Sequence, residues 1–371
     1  MATGGWRVKT RTCGRLLPDY TARGLKISQH SQITREPGVA ATASDGTRFD
    51  VVGIGNAIVD VLAHAEDAIL EKLGLVKGAM TLVDASAAET LYAHMAAAIE
   101  CSGGSAANTI AGLASLGGRA AFIGKVKRDQ LGEVFAHDIR ALGVHFATPP
   151  AVFGAATARC LVFITPDAQR TMQTFLGACV ELGPEDIDEA LIAAAKVTYL
   201  EGYLWDPPRA KEALLKACEI AHAHGRKVAL SLSDPFCVKR HRTEFRELVA
   251  GHVDILFANE QEIMALYQSP DFDAAMRAVR GHCEIAALTR SEKGSVVLNG
   301  KDVHVIDAAP AQVLDTTGAG DLYAAGFLHG YAQGHDPAAC GRLGALCAAE
   351  VIGHIGARPA RPLAELCAQL I

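Results

Sequence analysis

From Phe49 onward, apolar and polar positions come in blocks that read as strand, then helix, then strand again. Phe49–Gly55 (FDVVGIG) is a largely apolar run closed by glycine, as expected of a strand buried on both faces. Ala120–Gly124 predicts a second short strand, and Gln130–Leu142 a helix stopped by Gly143. Val197–Leu200 reads as a strand and Pro208–His224 as a helix ended by Gly225. Val228–Leu232, Ile255–Ala258 and Ile285–Thr289 follow as strands. Ser295–Leu298 and Val303–Val305 flank Asn299-Gly300, a strong hairpin signal, and Leu322–Gln333 and Pro337–Ile352 close the chain as helices. This alternation predicts an α/β fold, a mainly parallel sheet with helices on both faces. Right-handed crossovers then gather the loops at the strand C-termini on one edge, where ligands bind. Two stretches fit the alternation poorly, Leu62–Thr90 and Ala151–Gly177. Arg159–Ile164 and Thr171–Phe175 within the second are strand-like around the turn Thr165-Pro166-Asp167. A small β lid formed by about 62–90 and 151–177 accounts for both.

Residues 1–48 stand apart. Eight Lys/Arg face three acids there, a net +5 that leaves −11 for residues 49–371 out of the total of −6. Without an apolar h-region the segment is no secretory signal, and it is expected to be a disordered basic extension preceding one large α/β domain over 49–371. Half of the 371 residues are hydrophobic and 20% charged, enough for a large core. An acidic body argues against general nucleic-acid binding. The longest uncharged stretches, Cys101–Gly118 and Ala141–Ala158, carry Gly, Ser, Asn or Pro and do not read as membrane spans. Ten cysteines without a Cys-x-x-Cys pair or Cys/His cluster point to reduced thiols and a cytoplasmic protein.

The most informative segment is Asp315-Thr316-Thr317-Gly318-Ala319-Gly320-Asp321, followed by the helical Leu322–Leu328. Small residues at a helix start let backbone N–H groups approach an anion without Cβ obstruction, and phosphate is the natural anion. Asp321 then sits where a phosphoryl group meets a hydroxyl, placed to accept a proton as general base. The bland alternative makes Asp321 a helix cap. A second glycine loop, Ser102-Gly103-Gly104-Ser105-Ala106-Ala107-Asn108, opens a small-residue helix; Gly103 and Gly104 permit close approach, and Asn108 both donates and accepts. Neither GxxxxGK[ST], nor GxGxxG after the first strand, nor GxSxG, nor HExxH occurs, which removes P-loop kinases, dinucleotide dehydrogenases and two hydrolase classes.

These two glycine segments, about 210 residues apart, resemble the two signatures of the ribokinase-type carbohydrate kinases, the PfkB family, over nearly the whole of 49–371. The resemblance implies a ribokinase-like domain with a β lid, ATP as donor, Mg2+, and phosphorylation of a sugar-type hydroxyl, with Gly318, Ala319 and Gly320 as the anion hole and Asp321 as base. Asn259-Glu260-Gln261-Glu262 is similar to the family's Asn-x-x-Glu segment, which implies that Glu262 acts on Mg2+, mainly through water. Thr289, Ser291 and Gly294 of Thr289–Gly294 match its nucleotide loop, and Asn259 and Thr317 join the nucleotide side; Arg290, Glu292 and Lys293 read as solvated loop charges. A monovalent cation such as K+ beside Asp315 is implied by resemblance alone. Gly55-Asn56-Ala57-Ile58-Val59-Asp60 resembles the adenosine kinase segment whose Asn and Asp hold substrate, and a carboxylate suits two vicinal hydroxyls. Arg170 resembles a lid arginine, Tyr203 or Trp205 is a candidate platform for a base, and Ser231–Phe236 resembles a substrate-side loop. The expected activity is ATP-dependent phosphorylation of the adenosine 5′-hydroxyl. The alternatives are a sugar kinase acting on ribose, fructose or a keto-deoxy sugar acid, and a ligand-binding regulator without catalysis. No cationic pair for a sugar acid is evident in the sequence. The expected partners are ATP and a small nucleoside or sugar, with no nucleic acid and no membrane; the assembly is a monomer or homodimer.

Overall fold

The computed structural model describes residues 46–167 and 169–368, so the basic extension lies outside it up to residue 45. Fourteen strands are numbered in chain order: β1 (Phe49–Ile54), β2 (Ile58–His64), β3 (Met80–Leu82), β4 (Ile99–Gly103), β5 (Ala120–Ile123), β6 (His145–Phe146), β7 (Ala158–Ile164), β8 (Arg170–Phe175), β9 (Ala195–Glu201), β10 (Lys227–Ser231), β11 (Ile255–Asn259), β12 (Ile285–Thr289), β13 (Ser295–Asn299) and β14 (Asp302–Ile306). Nine form one sheet in the order β14-β13-β12-β11-β10-β9-β1-β5-β6. It is parallel from β6 to β12 and antiparallel through β13 and β14.

Because helices cover both faces, successive strand residues enter different cores. Val52 and Ile54 pack with the Pro208–Ala223 and Glu260–Tyr267 helices, while Val51 packs with Ser105–Ser115 and Ala319–Ala332. All three β1 side chains are fully buried, which is why the strand reads as continuously apolar. The parallel strands bring Ile54, Glu201, Ser231, Asn259 and Thr289 to one edge; Asn259 pairs with Thr289, and Ser231 with Glu201.

A second sheet, β3-β8-β7-β2-β4, stands beside the first. It draws on more of the chain than the two stretches set aside by the sequence pattern, since β2 and β4 begin and end on the substrate-like segments Gly55–Asp60 and Ser102–Asn108. One of its faces (Val59, Val61, Leu161, Phe163) belongs to the main core. The other carries a separate cluster of Ile58, Leu62, Cys160, Val162, Ile164 and Met172. Asp60 pairs with Cys160 in the β2–β7 register and so lies on that second face.

Two local readings shift. Asn299 pairs with Asp302, so the hairpin loop is Gly300-Lys301 rather than Asn299-Gly300. The helix expected from Leu322 begins at Ala319, which places Asp321 inside its first turn. The nine cysteines among the described residues are free thiols. No described helix is long and apolar enough to cross a membrane.

Candidate active site

Gly318 caps the Ala319–Ala332 helix in the left-handed region (φ +78°), and a Cβ there would sit 2.9 Å from Ala357. Glycine thus permits both the conformation and the close approach of the 356–358 segment. The amides that open the helix are the unsatisfied donors of any helix start. Ala319 is an exception, because its N–H donates to Thr316 O (3.2 Å). The space beside Gly320 is open.

Asp321 is gripped by the second glycine loop. Its Oδ1 accepts from Ser105 Oγ (2.6 Å) and its Oδ2 from Asn108 Nδ2 (2.9 Å). Burial raises its pKa, opposed by these two donors and by Arg358. Asp321 is therefore a carboxylate held in place with heightened proton affinity, as a general base requires.

Gly104, with φ +98°, caps the Ser105–Ser115 helix and presses on the Asn56 carbonyl, where any Cβ would collide. Gly103 lies flat against the Asp60 carboxyl, again leaving no room for a side chain. The Asp60 pKa is pushed up to about 6 by burial and by Asp321, against the pull of Arg170 and Arg358. Asn56 is turned inward: its Nδ2 donates to Glu201 Oε1 (2.6 Å), and Glu201 Oε2 accepts from Asn56 N (3.3 Å) and Ala106 N (2.9 Å). Glu201 is 1% exposed, and burial lifts its pKa to about 7.

Arg170, on β8, bridges to Asp315 Oδ2 (3.0 Å). Asp315 also accepts from Thr317 N (2.9 Å), Thr317 Oγ1 (2.7 Å) and Gly356 N (3.0 Å). Burial alone would raise the Asp315 pKa; these donors and Arg170 outweigh it, and the net shift is downward. The Thr317 hydroxyl is thus spent on Asp315.

Farther along the edge, Asn259 and Glu262 form a capping box: Asn259 Oδ1 accepts from Glu262 N (2.9 Å), and Glu262 accepts from Asn259 N (2.8 Å) and Nδ2 (2.6 Å). Glu262 is buried and its pKa rises to about 7. Thr289 ends β12, Ser291 has φ +53°, and Gly294 (φ +76°) closes the turn by accepting from Arg290 N (2.8 Å). Arg290 is no solvated charge: its guanidinium lies 4.2 Å from the Phe272 ring centroid and bridges Glu260 at 3.0 Å. Tyr203 is half-buried, tied to Ser233 through its N–H (3.2 Å) and hydroxyl (3.3 Å), and within the electrostatic reach of Asp321, Glu201 and Glu262. Trp205 is a core residue, 3% exposed, with its ring on Phe245 and Nε1 donating to Glu244; it offers no platform to a base.

Sequence reasoning passed over Glu201 and Arg358. Arg358 donates to Ser102 O (Nη2 2.7 Å, Nε 3.1 Å), Ser102 Oγ (3.0 Å) and Ala107 O (2.8 Å). An acid ending an apolar strand was a readable signal for Glu201. Arg358 lies 37 residues beyond Asp321 in an irregular stretch and has none.

With a fold and site geometry of this kind, the chain is a kinase of the ribokinase-like fold, an ATP-dependent phosphotransferase acting on a sugar or nucleoside hydroxyl. The chain belongs to the pfkB family of carbohydrate kinases, whose description matches residues 100–364. A crystal structure of an adenosine kinase from Sinorhizobium meliloti is 56% identical, with a TM-score of 0.81 over 88% of this chain and 100% of that one. A probable sugar kinase from Rhizobium etli CFN 42 is 53% identical, with a TM-score of 0.82 over the same shares. A 5-dehydro-2-deoxygluconokinase of Geobacillus thermodenitrificans is 28% identical over 72% of this chain and 83% of its own.

Proposed function

We propose that the protein transfers the γ-phosphoryl group of ATP to the 5′-hydroxyl of adenosine, giving AMP and ADP. The observation that carries this reading is Asp321 held by Ser105 and Asn108 against the anion-receiving helix start, with Asp60 on the facing sheet. The 56% identity to an adenosine kinase supports the choice of acceptor. In this reading Asp60 accepts from the two ribose hydroxyls, and Gly103, Gly104 and Asn108 line the sugar. Asn56 acts from behind, fixing the turn through Glu201. Asp321 takes the 5′ proton as that oxygen bonds to the γ-phosphorus, and the P–O bond to ADP breaks with its electron pair on ADP. The free amides of Gly318 and Gly320 face the transferring oxygens, with Ala319 contributing through its turn. Tyr203 presents its ring to the base. Asn259, Thr289, Ser291, Gly294 and Thr317 line the nucleotide edge, and the second sheet acts as a lid that excludes water.

Mg2+, when bound, neutralises phosphate charge. The described residues contain no cluster of three or more acidic, His or Cys groups fit to cage a metal, which suits an ion held by phosphates and water. Glu262, with both oxygens on Asn259, fits an outer role through water. K+ at the Asp315 carboxylate fits poorly, because Arg170, Thr317 and Gly356 already occupy it.

One observation favours a second reading. The 5-dehydro-2-deoxygluconokinase relative is named for a sugar acid, and Arg170, whose guanidinium lies beside the Asp60 and Asp315 carboxylates, is a cation that such an acid could use. Coupled ATP assays with adenosine, 5-dehydro-2-deoxygluconate, ribose and fructose decide between them. The proposal expects adenosine to have the highest kcat/KM; a preference for the sugar acid would replace it.

A further inference from the structure

Arg358 is a half-buried cation with no ion-pair partner among the described residues. Its three donor atoms go to neutral oxygens: the Ser102 carbonyl and hydroxyl and the Ala107 carbonyl. Spending all three donor nitrogens of a half-buried guanidinium on neutral oxygens, with no carboxylate contact, calls for a reason beyond packing.

The neighbouring contacts supply one. Ser102 is held from the opposite side by Asp138, whose Oδ2 accepts from Ser102 N (2.7 Å) and Oγ (2.6 Å). Ser102 immediately precedes Gly103, which abuts Asp60, and Gly104, which abuts Asn56. Ala107 neighbours Asn108, the donor to Asp321 Oδ2. Arg358 therefore grips the acceptor loop at both ends. The preceding residues meet the other half of the site: Ala357 packs on Gly318, and Gly356 N–H donates to Asp315. Three consecutive residues thus join the phosphate-receiving turn to the acceptor loop. Acidic groups surround the guanidinium at longer range, namely Asp60, Asp138 and Asp321, together with the Cys101 thiol.

We propose that Arg358 is the positioning residue that sets the acceptor loop Ser102–Asn108 in register with the Gly318–Asp321 turn. It acts through the planar geometry of its guanidinium, by bridging the Ser102 and Ala107 carbonyls. A lysine ammonium keeps the charge but cannot hold both carbonyls in the same fork. The inference rests on the phosphotransfer site described above and not on which acceptor fills it.

The test uses the full-length enzyme with whichever acceptor wild type turns over best, so a wrong acceptor assignment leaves it intact. Arg358→Met and Arg358→Lys should each raise KM for the acceptor at least tenfold, while KM for ATP stays within twofold. Acceptor-independent ATP hydrolysis should rise relative to transfer. Asp138→Ala, which removes the opposite brace from outside the site, should show the same split at three- to tenfold. Equal changes in both KM values would overturn the proposal, as would recovery of wild-type acceptor KM by Arg358→Lys. If Arg358→Met does not fold, an unchanged acceptor KM in Asp138→Ala is itself a refutation.

Discussion

Replacing Asp321 by asparagine removes the proposed base while keeping its anchoring. Asp321 accepts one bond from a hydroxyl, Ser105 Oγ, and one from an amide, Asn108 Nδ2. An asparagine can point its oxygen at Asn108 and its NH2 at Ser105 Oγ, which accepts once its own hydrogen rotates away. Both contacts survive in kind, and a half-buried charge is lost, so the folded state should change by no more than about 1 kcal/mol. What disappears is basicity. General-base catalysis contributes typically ~10²–10⁴-fold, about 3–5 kcal/mol of barrier. In a coupled assay at saturating ATP and acceptor, kcat of Asp321→Asn should fall by that factor with Tm and ATP affinity unchanged. The pH profile adds an independent reading. The wild-type base works ionised, and burial raises its pKa, so wild-type kcat/KM should decline on the acid side with a limb above the ordinary carboxylate range. The variant should lack that limb. A kcat within threefold of wild type, or an identical acid limb, would refute the assignment.

Three further outcomes follow from buried groups. Glu201 has its pKa raised from 4.5 to about 7 by burial, so the folded state binds its proton more tightly than the unfolded chain does. Its contribution to stability is full below pH 4.5 and is lost as pH rises through about 7; Glu201→Gln should therefore raise Tm over wild type at pH 8 and not at pH 4.5, measured by thermal melts, and a uniform offset would contradict the linkage. Trp205→Phe should lower stability by about 1–3 kcal/mol in denaturant titrations without altering acceptor KM, whereas Tyr203→Ala should raise adenosine KM; the opposite pattern would make Trp205 the contact residue. Glu262→Gln keeps the capping box through its one oxygen on Asn259 N but gives up the bond from Asn259 Nδ2, so stability should fall by no more than about 1 kcal/mol while the Mg2+ concentration for half-maximal rate rises; equal changes in Mg2+ and acceptor requirements would leave Glu262 only a cap.

The main sheet was legible because its strands are buried on both faces and read as apolar runs: β1, β5, β10, β11 and β12 lie within a residue or so of the positions expected from the pattern. The heptapeptide at Asp315–Asp321 was legible because it is contiguous. β2 was not, since Asp60 breaks its apolar run and Gly55–Asp60 stands out as a substrate-holding segment by resemblance. The helix begins three residues before the expected Leu322, a start hidden by Gly318 and Gly320, the weak helix formers that flank Ala319. Neither the Glu201 link to Asn56 and Ala106 nor the Arg358 link to Ser102 and Ala107 could be read, because each joins positions 95 to 256 residues apart that only the packed fold brings together. Trp205 and Tyr203, two residues apart in one short 3-10 turn, differ only in the direction they face, which composition does not encode.

The most direct test of the central claim is a 31P NMR time course of the full-length protein with ATP, Mg2+ and adenosine. The account predicts one 5′-phosphomonoester resonance, that of AMP, growing in step with ADP, and both signals growing at least ~10²-fold more slowly with Asp321→Asn. ADP accompanied only by inorganic phosphate, or a phosphomonoester that forms only when a sugar or sugar acid replaces adenosine, would contradict it.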